Sequence, residues 1–167
     1  IMIKSTDFLI LYTTKNGRTG KMVDPIMQGL IAGGVTVDSF SVEEIKWDQM
    51  LTPKGIIVGT PVRFGDVDWK IKRFFDIRPE VISVSSPLAG KIAGAFTGGD
   101  IPGSGAELTL LSMLHILLNH GMIIQGNSES AHYGPISLKD TSDEDMMNIC
   151  NIWGLHWANL YHNLFSS

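Results

Sequence analysis

The sequence predicts an α/β domain built on a parallel, doubly wound sheet of five strands. Three observations predict it. Short runs that are apolar almost throughout, Phe8-Leu9-Ile10-Leu11-Tyr12, Lys54-Gly55-Ile56-Ile57-Val58-Gly59 and Lys91-Ile92-Ala93-Gly94-Ala95-Phe96, read as strands buried on both faces. Helical periods separate them, and strands alternating with helices imply parallel strands joined by crossovers. Finally, the loops after the first, third and fourth strands are rich in turn formers and glycine. Such sheets bind ligands beyond the carboxyl ends of their strands, where the strand order switches.

Taken in order, the first strand ends in Thr13-Thr14-Lys15-Asn16-Gly17. A helix follows, with Met22, Ile26, Met27, Leu30 and Ile31 on one side and Gly33-Gly34 at its end. Val35 to Phe40 alternates, so it is expected nearer a sheet edge. After the third strand, Trp69 to Ile77 reads as a helix facing Ile71, Phe74 and Phe75 inward. The fourth strand precedes a long helix from about Ala106 to Asn119, and Gly121 to Gln125 forms a brief fifth strand. Gly126 to Asp140 reads as irregular, and Thr141-Ser142-Asp143-Glu144 is a capping signal for a final helix.

At 167 residues the chain fits one domain, residues 1–167, and can bury a core. Its 44% hydrophobic and 18% charged residues are those of a globule rather than a disordered segment. A formal net charge of −4 argues against a nucleic-acid partner, which requires a basic face. The lone Cys150 excludes an internal disulfide and points to the cytoplasm, with a packing role in the last helix. No apolar run reaches the ~20 residues of a membrane span, and the first residues carry no secretory pattern. A chain starting at Ile1 is expected to lack some preceding residues. No metal site is expected.

The loop Thr14-Lys15-Asn16-Gly17-Arg18-Thr19 runs directly into a helix. Hydroxyls, a side-chain amide and unpaired backbone N–H groups there make an anion site, and Gly17 lets the backbone bend around a phosphate. The NTPase phosphate loop fails here, since Met22 follows Gly20-Lys21, and only part of a dinucleotide fingerprint is present. The plain alternative is a strand-to-helix turn with a capping threonine. After the third strand, Pro61-Val62-Arg63-Phe64-Gly65 brackets an arginine and an aromatic at the mouth of the sheet, a stacking wall for a flat heteroaromatic ligand. The plain alternative has Phe64 in the core and Arg63 in solvent. After the fourth strand, Thr97-Gly98-Gly99-Asp100-Ile101-Pro102-Gly103-Ser104-Gly105 holds four glycines, which signals close backbone approach.

The first loop resembles the phosphate pattern of the flavodoxins: Ser/Thr, any residue, Thr/Asn, Gly, any residue, Thr. Gly59-Thr60-Pro61-Val62-Arg63-Phe64-Gly65 is similar to the Gly-Thr-Pro-Thr-Arg-Phe-Gly segment of the NAD(P)H:quinone oxidoreductase branch of that group. The spacing to Lys70–Asp76 resembles the wider flavodoxin-like group, and the third loop, the helix after it, Asn119-His120-Gly121-Met122 and Tyr133-Gly134-Pro135 resemble the same branch, so the likeness runs from about Leu9 to Gly134. It implies a flavodoxin-like fold with strand order 2-1-3-4-5 and helices on both faces. It implies non-covalent FMN, with phosphate contacts from Thr14, Lys15, Asn16, Gly17, Arg18 and Thr19. Ring contacts are implied from Pro61, Val62, Arg63, Phe64 and Gly65 and from Thr97, Gly98, Gly99 and Asp100. Asn119 stands where that branch has a pocket-shaping histidine, and Val62 stands where it has threonine.

Two activities fit this resemblance. A reductase would take hydride from NAD(P)H and pass electrons to a quinone-like acceptor, with His132 and Tyr133 as candidate proton donors or substrate contacts. A carrier would pass single electrons between redox proteins. Carriers are usually strongly acidic around the cofactor, and the net charge here is mild. The third loop also lacks the tyrosine that long-chain flavodoxins stack on the ring. Both points lean towards the reductase. Branch membership would further imply a homodimer or homotetramer.

Overall fold

The computed structural model describes residues 6–77 and 86–165. Its strands are β1 (Phe8–Tyr12), β2 (Val37–Ser41), β3 (Gly55–Pro61), β4 (Ile92–Gly98), β5 (Ile123–Ile124) and β6 (Ile136–Ser137). The helices are α1 (Arg18–Lys21), α2 (Val23–Ala32), α3 (Trp69–Asp76), α4 (Ala106–Asn119) and α5 (Asp143–Phe165), with a 3-10 turn at Trp47–Met50. The sheet order is β2-β1-β3-β4-β5, and every pair is parallel. This is the order that the family resemblance implies.

Strands β3 and β4 are buried at every position, which explains their unbroken apolar runs. Alternate strand residues enter two separate clusters. Leu9, Leu11, Ile56, Val58, Ala93 and Ala95 pack with Ile71 and Phe75 of α3 and with Leu110, Met113 and Leu117 of α4. Phe8, Ile10, Ile57, Ile92 and Phe96 pack instead with Ile26 and Leu30 of α2 and with Cys150, Trp153 and Trp157 of α5. Helices α2 and α5 approach through glycine: a Cβ on Gly29 would lie 2.0 Å from the Asn151 carbonyl oxygen. Cys150 is fully buried and its thiol is pushed up to about 12 by that burial, so it packs rather than reacts.

Three expectations are corrected. The helix after the first loop is broken at Met22, because Pro25 lacks an N–H and its ring clashes with the carbonyl four residues before it. Ile31 is exposed rather than inward, and Met27 is only partly buried. The stretch 126–140 is not irregular throughout, since β6 returns to the sheet. It pairs with the end of β4, Thr97 to Ile136 and Gly98 to Ser137, whereas β5 pairs with its start. The two short strands thus share one edge of β4. The final helix begins as read: the Ser142 hydroxyl accepts from the Asp145 N–H at 3.1 Å and donates to its carboxylate at 2.7 Å. Among the described residues, no helix is long and apolar enough to cross a membrane.

Candidate functional site

The carboxyl ends of β1, β3 and β4 open into one small cleft of about 60 Å³. It is lined by Thr14, Lys15, Asn16, Arg18, Thr19, Pro61, Val62, Arg63, Gly98, Gly99 and Asp100. Three loops that are far apart in sequence therefore meet where the strand order switches between β1 and β3. The volume is well below the ~300 Å³ or more of a whole-ligand pocket. It suits a compact group, with the rest of any ligand lying along the loops outside. A larger cavity of about 410 Å³ lies between the 3-10 turn and α3, lined by Trp47, Trp69, Phe74 and Ile77 among others. It shares no residue with the cleft and gathers none of the open donors described next.

The first loop is a set of donors without acceptors. Gly17 sits in the left-handed region at φ 83°, which reverses the chain ahead of α1 without a Cβ penalty. Among the described residues, the backbone N–H groups of Lys15, Asn16, Gly17, Arg18 and Thr19 donate to no protein acceptor. The Thr14 hydroxyl accepts from the Gly20 N–H at 3.3 Å, leaving its own hydrogen free to donate outward. Thr19 is 1% exposed, and its hydroxyl oxygen is buried without a partner. A buried hydroxyl with no hydrogen bond costs about 1–3 kcal/mol, so this side chain suits an acceptor placed in the cleft. Because α1 has only four residues, the anion preference rests on these open N–H groups rather than on a long helix dipole.

Strand β4 ends in two glycines that leave the cleft its room. A Cβ on Gly98 would lie 2.8 Å from the Thr19 hydroxyl, and one on Gly99 would crowd Leu138, Val62 and Ser104. Ser104 is the second residue here whose hydroxyl is buried and unpartnered. Sequence reasoning named its loop but not its side chain, and the signal was its place between Gly103 and Gly105. Asn16 reaches Asp100 across the cleft with a 3.5 Å hydrogen bond.

The second loop is a tight hairpin. The Arg63 N–H donates to the Asp66 carbonyl at 2.9 Å, and the Asp66 N–H returns to Arg63 at 3.1 Å. Its two central residues both have positive φ, 52° at Phe64 and 82° at Gly65, the pattern of a type I′ turn. A phenylalanine in the left-handed region is strained, and this one is fully exposed at 102%. It is therefore not core, and the turn holds its ring at the mouth of the sheet. The Arg63 guanidinium lies 5.7 Å from that ring and 3.7 Å from the Asp68 carboxylate. Asp68 itself caps α3 by accepting from the Lys70 N–H at 2.9 Å. The second and third loops touch at Gly65 and Gly105, where an added Cβ would lie 2.7 Å from the Gly65 Cα.

Not every predicted residue arrives. Thr97 is fully buried and its hydroxyl donates to the Thr60 carbonyl at 2.6 Å, so it ties β4 to β3. Asn119 lies at the far end of α4, beside Gly121, whose carbonyl accepts from Gly90 ahead of β4. That is the amino end of the strands, opposite the cleft, and the Asn119 amide donates to the His115 carbonyl of its own helix at 2.9 Å. The ring Nδ1 of His132 pairs with the Asn127 carbonyl at 2.7 Å and closes a local turn. Tyr133 is exposed, and neither residue lines the cleft. Conversely, Leu138 was missed. Its carbonyl accepts from the Arg18 guanidinium at 2.6 Å, a contact across 120 residues that no local pattern announces. Among the described residues no cluster of histidine, cysteine or carboxylate side chains is arranged to hold a metal.

Comparison with known proteins fits this geometry. No family model matches the chain. It is 31% identical over 158 residues to a flavodoxin of Aquifex aeolicus, covering 90% of this chain and 84% of that one. It is 28% identical over 170 residues to an NAD(P)H dehydrogenase (quinone) of Archaeoglobus fulgidus, covering 83% and 88%. Among solved structures, a WrbA-like flavodoxin from Agrobacterium tumefaciens superimposes with a TM-score of 0.78 at 21% identity, over 95% of this chain and 99% of that one. A doubly wound fold with three converging loops at its switch point defines a class of ligand-binding α/β protein. Within that class, this chain belongs to the flavodoxin-like family, near the branch of the NAD(P)H dehydrogenases (quinone).

Proposed function

We propose that the chain is a single cytoplasmic FMN-binding domain that transfers electrons from NAD(P)H to a quinone-like small molecule. The observation that carries this reading is the set of open backbone N–H groups from Lys15 to Thr19, gathered around the buried, unpartnered Thr19 hydroxyl. Donors without acceptors at the base of a small cleft fit a phosphate, which offers only acceptors and negative charge. Thr14, Asn16, Gly17 and Thr19 hold it, and Lys15 adds positive potential from the exposed rim. Pro61 to Gly65 on one side and Gly98 to Asp100 on the other would hold the isoalloxazine ring. Phe64, presented by its strained turn, forms one wall. Arg63 stands beside that wall, oriented by Asp68.

When bound, FMN supplies the electron and hydride chemistry. The protein binds and orients, so no nucleophilic side chain is needed. The quinone-dehydrogenase relatives support the reductase reading. A second reading, a carrier that docks redox proteins, is favoured by the flavodoxin relative and by the exposed Phe64 and Ile101 of the second and third loops. The same apolar rim would serve a homodimer or homotetramer in the reductase. Anaerobic titration of the reconstituted protein with NADH and NADPH separates the two. Direct bleaching of the flavin band, reversed by a quinone, is the reductase result. A flavin that takes electrons stepwise from dithionite but ignores both nicotinamides is the carrier result.

A further inference from the structure

The geometry points to the Arg18 side chain as a positioning group that clasps the segment 137–141 against the third loop, rather than as a ligand of the phosphate. The inference rests on the flavin reading above. Arg18 is half-buried, and its stem runs past the end of β4, with Cγ 3.2 Å from where a Gly98 Cβ would stand. Its Nη1 then donates to the Leu138 carbonyl at 2.6 Å. One nitrogen of the guanidinium thus holds a backbone oxygen beyond the glycine pair. No neighbouring carboxylate is ion-paired with it among the described residues.

The segment that it holds is tied to the third loop at two further points. The Gly99 N–H donates to the Ser137 carbonyl at 2.9 Å, and the Lys139 N–H donates to the Asp100 carbonyl at 3.0 Å. Leu138 sits in a turn closed from both sides by Thr141. The Leu138 N–H donates to the Thr141 hydroxyl at 2.9 Å, and the Thr141 N–H returns to the Leu138 carbonyl at 3.0 Å. Leu138 also packs where a Gly99 Cβ would be, 3.1 Å away. One side chain of the phosphate loop therefore fixes the backbone of the loop proposed to carry the ring. Through its side chain, Arg18 couples the two ends of the cofactor site, while only its backbone N–H faces the phosphate.

This assigns a result that a phosphate ligand would not give. Loss of the clasp leaves binding to order residues 99–100 and 137–141, so FMN and riboflavin, which lacks the phosphate, are both weakened. Arg18→Met keeps the stem and removes the donors. FMN and riboflavin affinities of the flavin-stripped variant, measured by quenching of flavin fluorescence, should fall by a common factor of about tenfold, the scale of one charge-assisted hydrogen bond. Thr141→Val, which loosens the same turn while leaving Arg18 in place, should lower both affinities in the same ratio. Weakening of FMN alone by Arg18→Met would make Arg18 a phosphate ligand and overturn the inference. Unchanged affinities with a lower melting temperature would make the contact merely structural and overturn it equally. A parent protein that binds neither flavin would refute the flavin reading itself, a separate and visible outcome.

Discussion

Replacing Thr19 by valine should make the flavin-free protein more stable and its FMN complex weaker. Valine is nearly isosteric with threonine, so the 1%-exposed site keeps its shape while losing the hydroxyl. In the structure that hydroxyl oxygen is buried without a partner. An unsatisfied buried hydroxyl costs about 1–3 kcal/mol, so its removal should return at least about 1 kcal/mol. For a domain of this length, that raises the melting temperature by about 2–4 °C. If the same hydroxyl donates to a phosphate, the complex loses one hydrogen bond to a charged group, worth about 1.5–3 kcal/mol, or about 10- to 150-fold in affinity. The assay is thermal melting of flavin-stripped protein beside FMN titration by fluorescence quenching. A valine variant that binds FMN as tightly as the parent refutes the reasoning. So does one that melts lower without flavin, since the hydroxyl would then have had a partner all along.

Phe64→Gly should raise the flavin-free melting temperature, because about 1 kcal/mol of left-handed strain is relieved, while reducing flavin affinity through loss of the ring wall. Both are read in the same two assays, and unchanged affinity would remove Phe64 from the site. Gly29→Ala should cost about 1–3 kcal/mol in urea unfolding, since its Cβ would lie 2.0 Å from the Asn151 carbonyl oxygen and force α2 from α5, with FMN affinity unaltered. Burial alone would raise the pKa of Asp7, but the Thr36 N–H and the Tyr161 and Thr36 hydroxyls donate to its carboxylate and bring it below its ordinary value. A depressed carboxylate contributes stability that is present above its unfolded pKa, about 3.9, and is lost as pH falls through the lower folded value. Asp7→Asn should therefore melt lower than the parent at neutral pH, and the gap should close in acid; a constant gap would show that the charge is irrelevant.

The features most legible in the sequence are those enforced by burial on both faces. Strands β3, β4 and the first four residues of β1 are buried on both faces, which makes their runs apolar almost throughout, and the helical period of α4 matches its ends, Ala106–Asn119. The three loops were legible because their positions follow from parallel topology once the strands are placed. What stayed hidden is non-local or very short. Strand β6 has two residues, too few for any period, and exists only because β4 offers its edge there. The break at Met22 was signalled by Pro25, but the apolar period running through it masked the signal. The resemblance puts Asn119 in the site, whereas a helix of 14 residues spans about 21 Å and takes it to the amino ends of the strands. The Arg18–Leu138 contact joins loops whose proximity is a property of the finished fold.

The central claim is that the loop from Thr14 to Thr19 grips the phosphate of FMN. Its most direct test is titration of the flavin-stripped protein with FMN and then with riboflavin, followed by fluorescence. FMN should give saturable, one-to-one quenching and riboflavin markedly weaker binding, with inorganic phosphate competing only against FMN. Equal affinity for the two flavins, or no binding of either, would contradict it.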